Sequence, residues 1–152
     1  MNKQKILHAA SWTAVLLFFF VGPLAGAAYF WNDAHNKIRA RAVAYVRETA
    51  LPLFKDWSPD RIFDEYSIDG RGSFDKAQLA AFRAKLGSIT KPGDPIPQRS
   101  YAKERDDNVW QFVVVESDCG FEKGKAKLRF LIVHKTTSTI WQIEKLEVEP
   151  LR

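Results

Sequence analysis

From Ile6 to Trp31 the chain reads ILHAASWTAVLLFFFVGPLAGAAYFW, without one formal charge, behind the short basic start MNKQK. So long an apolar run must be taken out of water by lipid or removed by processing, and it restricts the rest of the chain accordingly. Read as an export signal, it has a basic start, an apolar centre, Pro23 as a breaker and Ala25-Gly26-Ala27 as an A-x-A cleavage site. Read as an uncleaved anchor, it has Trp12 and Trp31 nineteen positions apart, a helical span of roughly 28 Å, close to a bilayer core. Tyr29 and Trp31 then fall in the aromatic belt of the far interface. A cleaved signal loses hydrophobicity just past its cleavage site, whereas Ala28-Tyr29-Phe30-Trp31 continues it. We therefore expect an anchor over 1–32 and a globular domain over 33–152.

Lys3, Lys5 and the amino terminus precede the span, and Lys37, Arg39, Arg41 and Arg47 follow it, so the positive-inside rule nearly balances. The export-signal character of the segment decides for a cytoplasmic N-terminus. The expected location is the inner membrane, single-pass, with the globular domain on the periplasmic side. The net charge of +5 is spread without a block of like charges. It suits anionic headgroups, and with no basic recognition helix or RNA-reading aromatic motif no nucleic-acid partner is expected. The single cysteine, Cys119, excludes an internal disulfide, and within an apolar run it reads as a small buried hydrophobe.

Past the anchor the apolar period is helical. Ile38, Ala42, Tyr45, Val46, Ala50, Leu53 and Trp57 form one stripe over Asp33–Trp57, with a bend expected at Pro52. Ser58-Pro59 opens a short helix to about Tyr66, and a second runs from Phe74 to Leu86, stopped by Gly87. After the proline-rich KPGDPIP the period becomes two. Four strands are expected near Gln98–Arg105, Val109–Phe121, Lys125–Lys135 and Thr139–Glu147. Ala126, Leu128, Phe130 and Ile132 should face the core, with Trp141 and Ile143 on the same inner side. Leu146 and Val148 are out of phase with that pair, which predicts a β-bulge near Glu144. Glu122-Lys123-Gly124 should turn the middle hairpin, with Gly124 in the left-handed position. The expected fold is α+β: an N-terminal transmembrane helix, then a long helix and two short ones packed on a curved four-stranded antiparallel sheet.

SIDGRGSFDKAQL, Ser67–Leu79, has the outline of an EF-hand loop, with Gly72 at the invariant glycine, Asp69 at the third position and Phe74 at the hydrophobic one. Ser67, Arg71 and Gln78 stand where carboxylates belong, and a fixed positive charge repels calcium. Turn and capping chemistry between two helices accounts for it. No metal ligand set and no cofactor is expected.

The helix ending LPLFKDW (Leu51–Trp57), the AKLG stop (Ala84–Gly87), GFEKGKAKLRFLI (Gly120–Ile132) and the closing IWQIEKLEV (Ile140–Val148) give the region Asp33–Val148 an order of helices then curved sheet. It resembles the cone-shaped superfamily of nuclear transport factor 2 and ketosteroid isomerase, or cystatin-like folds, and within it uncharacterised bacterial envelope proteins. The resemblance implies a cone interior where isomerase members place an Asp base and a Tyr–acid oxyanion hole. Tyr101, Asp118 and His134 are the ligand-binding candidates at such an interior, with Tyr66 and Glu116 beside them; Tyr45 and Tyr66 read as packing residues with hydroxyls at the surface. No catalytic residue is assigned. The favoured expectation is a non-enzymatic envelope interaction or assembly module with a protein partner. A carrier or sensor of a small apolar ligand and a cone-type isomerase or hydrolase are the alternatives.

Overall fold

The computed structural model describes residues 22–151. Most of the expected anchor, residues 1–21, lies outside the described residues, and no described helix is long and apolar enough to cross a membrane. The chain divides between Ile38 and Arg39 into two compact units. In the first, Gly22–Ile38 is helical and carries an exposed i,i+4 ion pair, Lys37 to Asp33 at 2.7 Å.

The first helix, α1, covers Gly22–Tyr45, so it begins earlier and stops sooner than the apolar stripe predicts. A π-helical turn over Val46–Ala50 and a 3₁₀ turn over Leu51–Lys55 follow. Pro52 is the reason. It has no N–H for the carbonyl four residues back, and its ring crowds that carbonyl. Just ahead of it the ladder widens, and the Leu51 N–H donates to the Val46 carbonyl five residues away. Ala42, Val46, Ala50, Leu53 and Trp57 are buried as the stripe predicts, but the changed pitch also brings in Leu51 and Phe54. The expected Tyr45 is only half-buried and turns aside, donating from its hydroxyl to Glu65 Oε2 at 2.8 Å.

Trp57 ends the run at φ +50°, and its Nε1 donates to the buried Gly87 carbonyl at 2.8 Å. Helix α2, Pro59–Asp64, starts after Ser58 as expected, though Ser58 gives no side-chain cap. Helix α3, Lys76–Leu86, is capped by Asp75, whose Oδ1 accepts from the Ala77 and Gln78 N–H groups, and it ends at Gly87 with φ +73°.

The sheet is curled and antiparallel, with five strands where four were expected. They are β1 (Ile89–Lys91), β2 (Ile96–Arg105), β3 (Asn108–Phe121), β4 (Gly124–Lys135) and β5 (Gln142–Leu151). β1 is the addition; three residues beside a proline-rich stretch carry no readable period. β1 and β2 lie end to end along the same edge of β3, which pairs β4, which pairs β5. A two-residue turn, Asp106-Asp107, joins β2 to β3 with both residues at positive φ, the primed geometry that matches strand twist. The β3–β4 turn places its positive φ, +157°, at Gly124, outside the left-handed helical basin that was expected. In β5, Leu131 faces Lys145 and Ile132 faces Ile143, so Glu144 is the extra residue of a bulge, as the phase slip predicts.

Directly opposed residues share a face. Val113, Val115, Ser117 and Cys119 on β3 oppose Ile132, Phe130, Leu128 and Ala126 on β4, and all eight are buried. This is the face the helical segments cover. Phe54 seats its ring against Phe130 at 6.0 Å, and Trp57 packs between Phe54 (4.8 Å) and Phe121 (5.7 Å). Trp141 precedes β5 and is half-buried at the rim, its ring 4.1 Å from His134; Ile143 takes the deep position.

The backbone of Glu65–Ser67 seats on β5: the Ser67 N–H donates to the Ile143 carbonyl and the Ile143 N–H to that of Glu65. This buries Tyr66, contrary to the expectation of a surface hydroxyl. Burial pushes its phenol up to about 12, against the opposing pull of a backbone hydrogen bond from Leu146. An unfolded tyrosine ionises near ~10. Between those values the native state holds a proton that the unfolded state has lost, so stability falls as pH rises through the window. Tyr66→Phe should flatten that fall in melting curves taken across it.

Candidate functional site

The opposite face of the sheet is covered at one end, where Phe112 and Val133 oppose each other and are buried, and is open beyond it. On it, Gln98 and Arg99 of β2, Val114 and Glu116 of β3, Arg129 and Leu131 of β4, and Lys145 and Glu147 of β5 line an open trough of about 580 Å³. Strand alternation places them: Arg99 opposes Val114, Glu116 opposes Arg129, and Arg129 opposes Glu147. Val114 and Leu131 make an apolar strip, and the charges cross the strands in alternating sign. Glu116 accepts from Arg129 Nε at 2.6 Å and has Lys127 at 3.8 Å. Glu147 is held by Arg129 at 3.3 Å and Lys145 at 2.8 Å. The Lys145 hydrogen bond, with Arg129 helping and partial burial opposing, keeps the Glu147 carboxyl below the usual carboxylate range.

One end of this face is closed by Arg105, the last residue of β2. Its guanidinium pairs with Asp69 and, at 2.9 Å, with Glu144 on the β5 bulge, and it lies over the rings of Trp110 (5.7 Å) and Phe112 (5.3 Å). Glu144 also accepts from the Ser67 hydroxyl, which in turn accepts from the Gly70 N–H. Gly70 is packed so tightly that a Cβ there would come within 2.6 Å of the Glu144 carbonyl oxygen. The loop that imitates an EF-hand is thus a seat: its Asp69 carboxylate is engaged by Arg105, and Gly70–Ser73 forms a 3₁₀ turn. Arg105→Ala should cost about 1–3 kcal/mol, since it leaves the half-buried Glu144 short of its cation. Asp69→Ala, at an exposed partner, should cost under ~1 kcal/mol. Both melting temperatures should be the same with and without millimolar calcium.

The three candidates from the sequence are spread over the sheet. Tyr101 opposes Phe112 on the trough face and stacks on it at 5.1 Å with the rings 5° from parallel. Asp118 is exposed on the same face, six positions farther along β3, roughly 20 Å away. His134 belongs to the helix-covered face, at its rim. Its Nδ1 donates to the Lys135 (2.9 Å) and Ser138 (3.3 Å) carbonyls, while its buried Nε2 has no hydrogen-bond partner among the described residues. Cys119 is buried beside Ser117, with Sγ accepting from the Gly93 N–H at 3.4 Å. It opposes Ala126, eight positions from His134 on β4, and the two do not meet. Glu116, considered as an interior acid, lies in the trough between two cations. Arg99, Arg105, Arg129, Lys145 and Glu147 were not singled out from the sequence. The parity of β4 does put Arg129 on the outward face, but nothing local says which charges lie beside it.

No protein-family model, curated protein or solved structure matches the chain.

Proposed function

We propose that the chain is a membrane-tethered, non-enzymatic interaction or assembly module of the cell envelope. Residues 1–32 anchor it in the inner membrane, the domain stands on the periplasmic side, and the open sheet face meets a protein partner. The trough supports this reading: one face of the sheet is filled by its own aromatic core, and the other offers a four-strand surface of paired charges over an apolar strip. Charges already matched to one another favour orienting a polar partner over turning over a substrate. The order of helices then curled sheet supports placing the domain with nuclear transport factor 2-like or cystatin-like folds.

The test is photo-crosslinking in native membranes, with a photoreactive side chain at Gln98 or Leu131 in the trough and at exposed Ala80 on α3 as control. A discrete protein adduct from the trough positions alone is expected, with the chain staying in the membrane after a carbonate wash. Equal labelling from Ala80, or none from the trough, overturns the reading.

A further inference from the structure

We infer that the protein partner is seated on one row of the trough, giving a carboxylate to Arg99 and laying an aliphatic side chain on Val114 and Leu131 beside it. This rests on the interaction reading above and names the chemistry of its partner.

The register sets out that row. Arg99 on β2 opposes Val114 on β3, Val114 opposes Leu131 on β4, and Leu131 opposes Lys145 on β5. Strands lie ~4.8 Å apart, so the cation stands roughly 5 and 10 Å from two aliphatic side chains in line. Val114 forms the floor and Leu131 is half-buried, so both keep a surface toward the trough they line. The neighbouring row is matched within itself: Arg129 lies between Glu116 and Glu147 and pairs with both. Lys145 also goes to Glu147, at 2.8 Å.

Arg99 is the surplus among these charges. It is exposed, it lines the trough, and it has no carboxylate partner among the described residues. Residues 1–31 contain no Asp or Glu, so they have no carboxylate to bring to it. Its guanidinium is already placed, 5.9 Å from the centroid of the Tyr101 ring, which stacks in turn on Phe112 at 5.1 Å. A guanidinium held over a ring keeps its N–H groups in its own plane, where they meet both oxygens of a carboxylate, and it loses little freedom on pairing. Charge alone would accept any acid. Val114 and Leu131 narrow the choice to an acid with an aliphatic neighbour, because a purely polar partner would cover them without gaining their burial.

The test returns to native membranes, with the photoreactive side chain at Gln98. Arg99→Glu should cut the yield of the protein adduct at least about tenfold and Leu131→Ser about fivefold, while Lys85→Glu on exposed α3 leaves it unchanged. Arg99→Lys keeps the charge and adds a reactive amine. A water-soluble carbodiimide should then join position 99 to an Asp or Glu of that same partner protein, beside an aliphatic residue, as mapped by peptide mass spectrometry. An undiminished adduct from Arg99→Glu overturns the inference and leaves the interaction reading standing. So does a position-99 crosslink that is absent, or confined to the chain's own carboxylates, a second copy or lipid. If the parent chain gives no trough adduct either, both are wrong.

Discussion

Phe130→Ala should destabilise the sheet unit by about 3–5 kcal/mol, the usual cost of emptying a buried aromatic site. Phe130 is fully buried at the middle of β4, against Val115 on β3, Leu146 on β5 and the ring of Phe54. All of these belong to different elements, so no small local movement closes the cavity. A loss of that size is a large share of the ~5–15 kcal/mol that holds a typical domain together. Lys127→Ala, three residues away on the other parity, removes one loose contact to Glu116 at 3.8 Å and should cost less than ~1 kcal/mol. Urea unfolding of both variants of the 33–152 fragment measures the difference. Equal small losses would show that the strand register is wrong.

Trp57→Ala should cost about as much, ~3–5 kcal/mol, and its conservative neighbour separates the causes. The indole is wedged between Phe54 and Phe121, and its N–H supplies the buried Gly87 carbonyl, the stop of α3. Trp57→Phe keeps much of the packing but leaves that carbonyl without its donor, a loss of about 1–3 kcal/mol. Trp57→Gly relieves the positive φ yet removes the ring, so it should behave like the alanine variant. If the phenylalanine variant unfolds at the parent's urea midpoint, the hydrogen bond to Gly87 contributes nothing to stability.

Several positions were legible because the rule acting on them is local. Gly87 stops α3 since glycine alone enters its backbone region cheaply, and Ser58-Pro59 starts α2 since proline fits a first turn. Pro52 announces a break in the first helical run, although not that the break spreads upstream as a π turn and rotates Phe54 into the core. The slip from Trp141 and Ile143 to Leu146 and Val148 reports the Glu144 bulge, because one inserted residue inverts strand parity. The same parity misplaces Trp141 in depth: it assigns a side of the sheet, and the strand's end decides how far in a side chain lies.

The sequence by itself determined the helix-then-sheet order, the faces of the strands and the places where elements stop, all from contacts within a few residues. The tertiary structure alone decided that β1 shares an edge with β2, that Glu116, Arg129, Glu147 and Lys145 join into one ladder, and that Arg105 meets Asp69 and Glu144, thirty-six and thirty-nine residues away in the chain. Alternation along a strand says which way a side chain points and is silent on its neighbour. The neighbour depends on strand order, register and curl, which are set by the packing of Phe54 and Trp57 on the far side of the sheet as much as by the charges themselves.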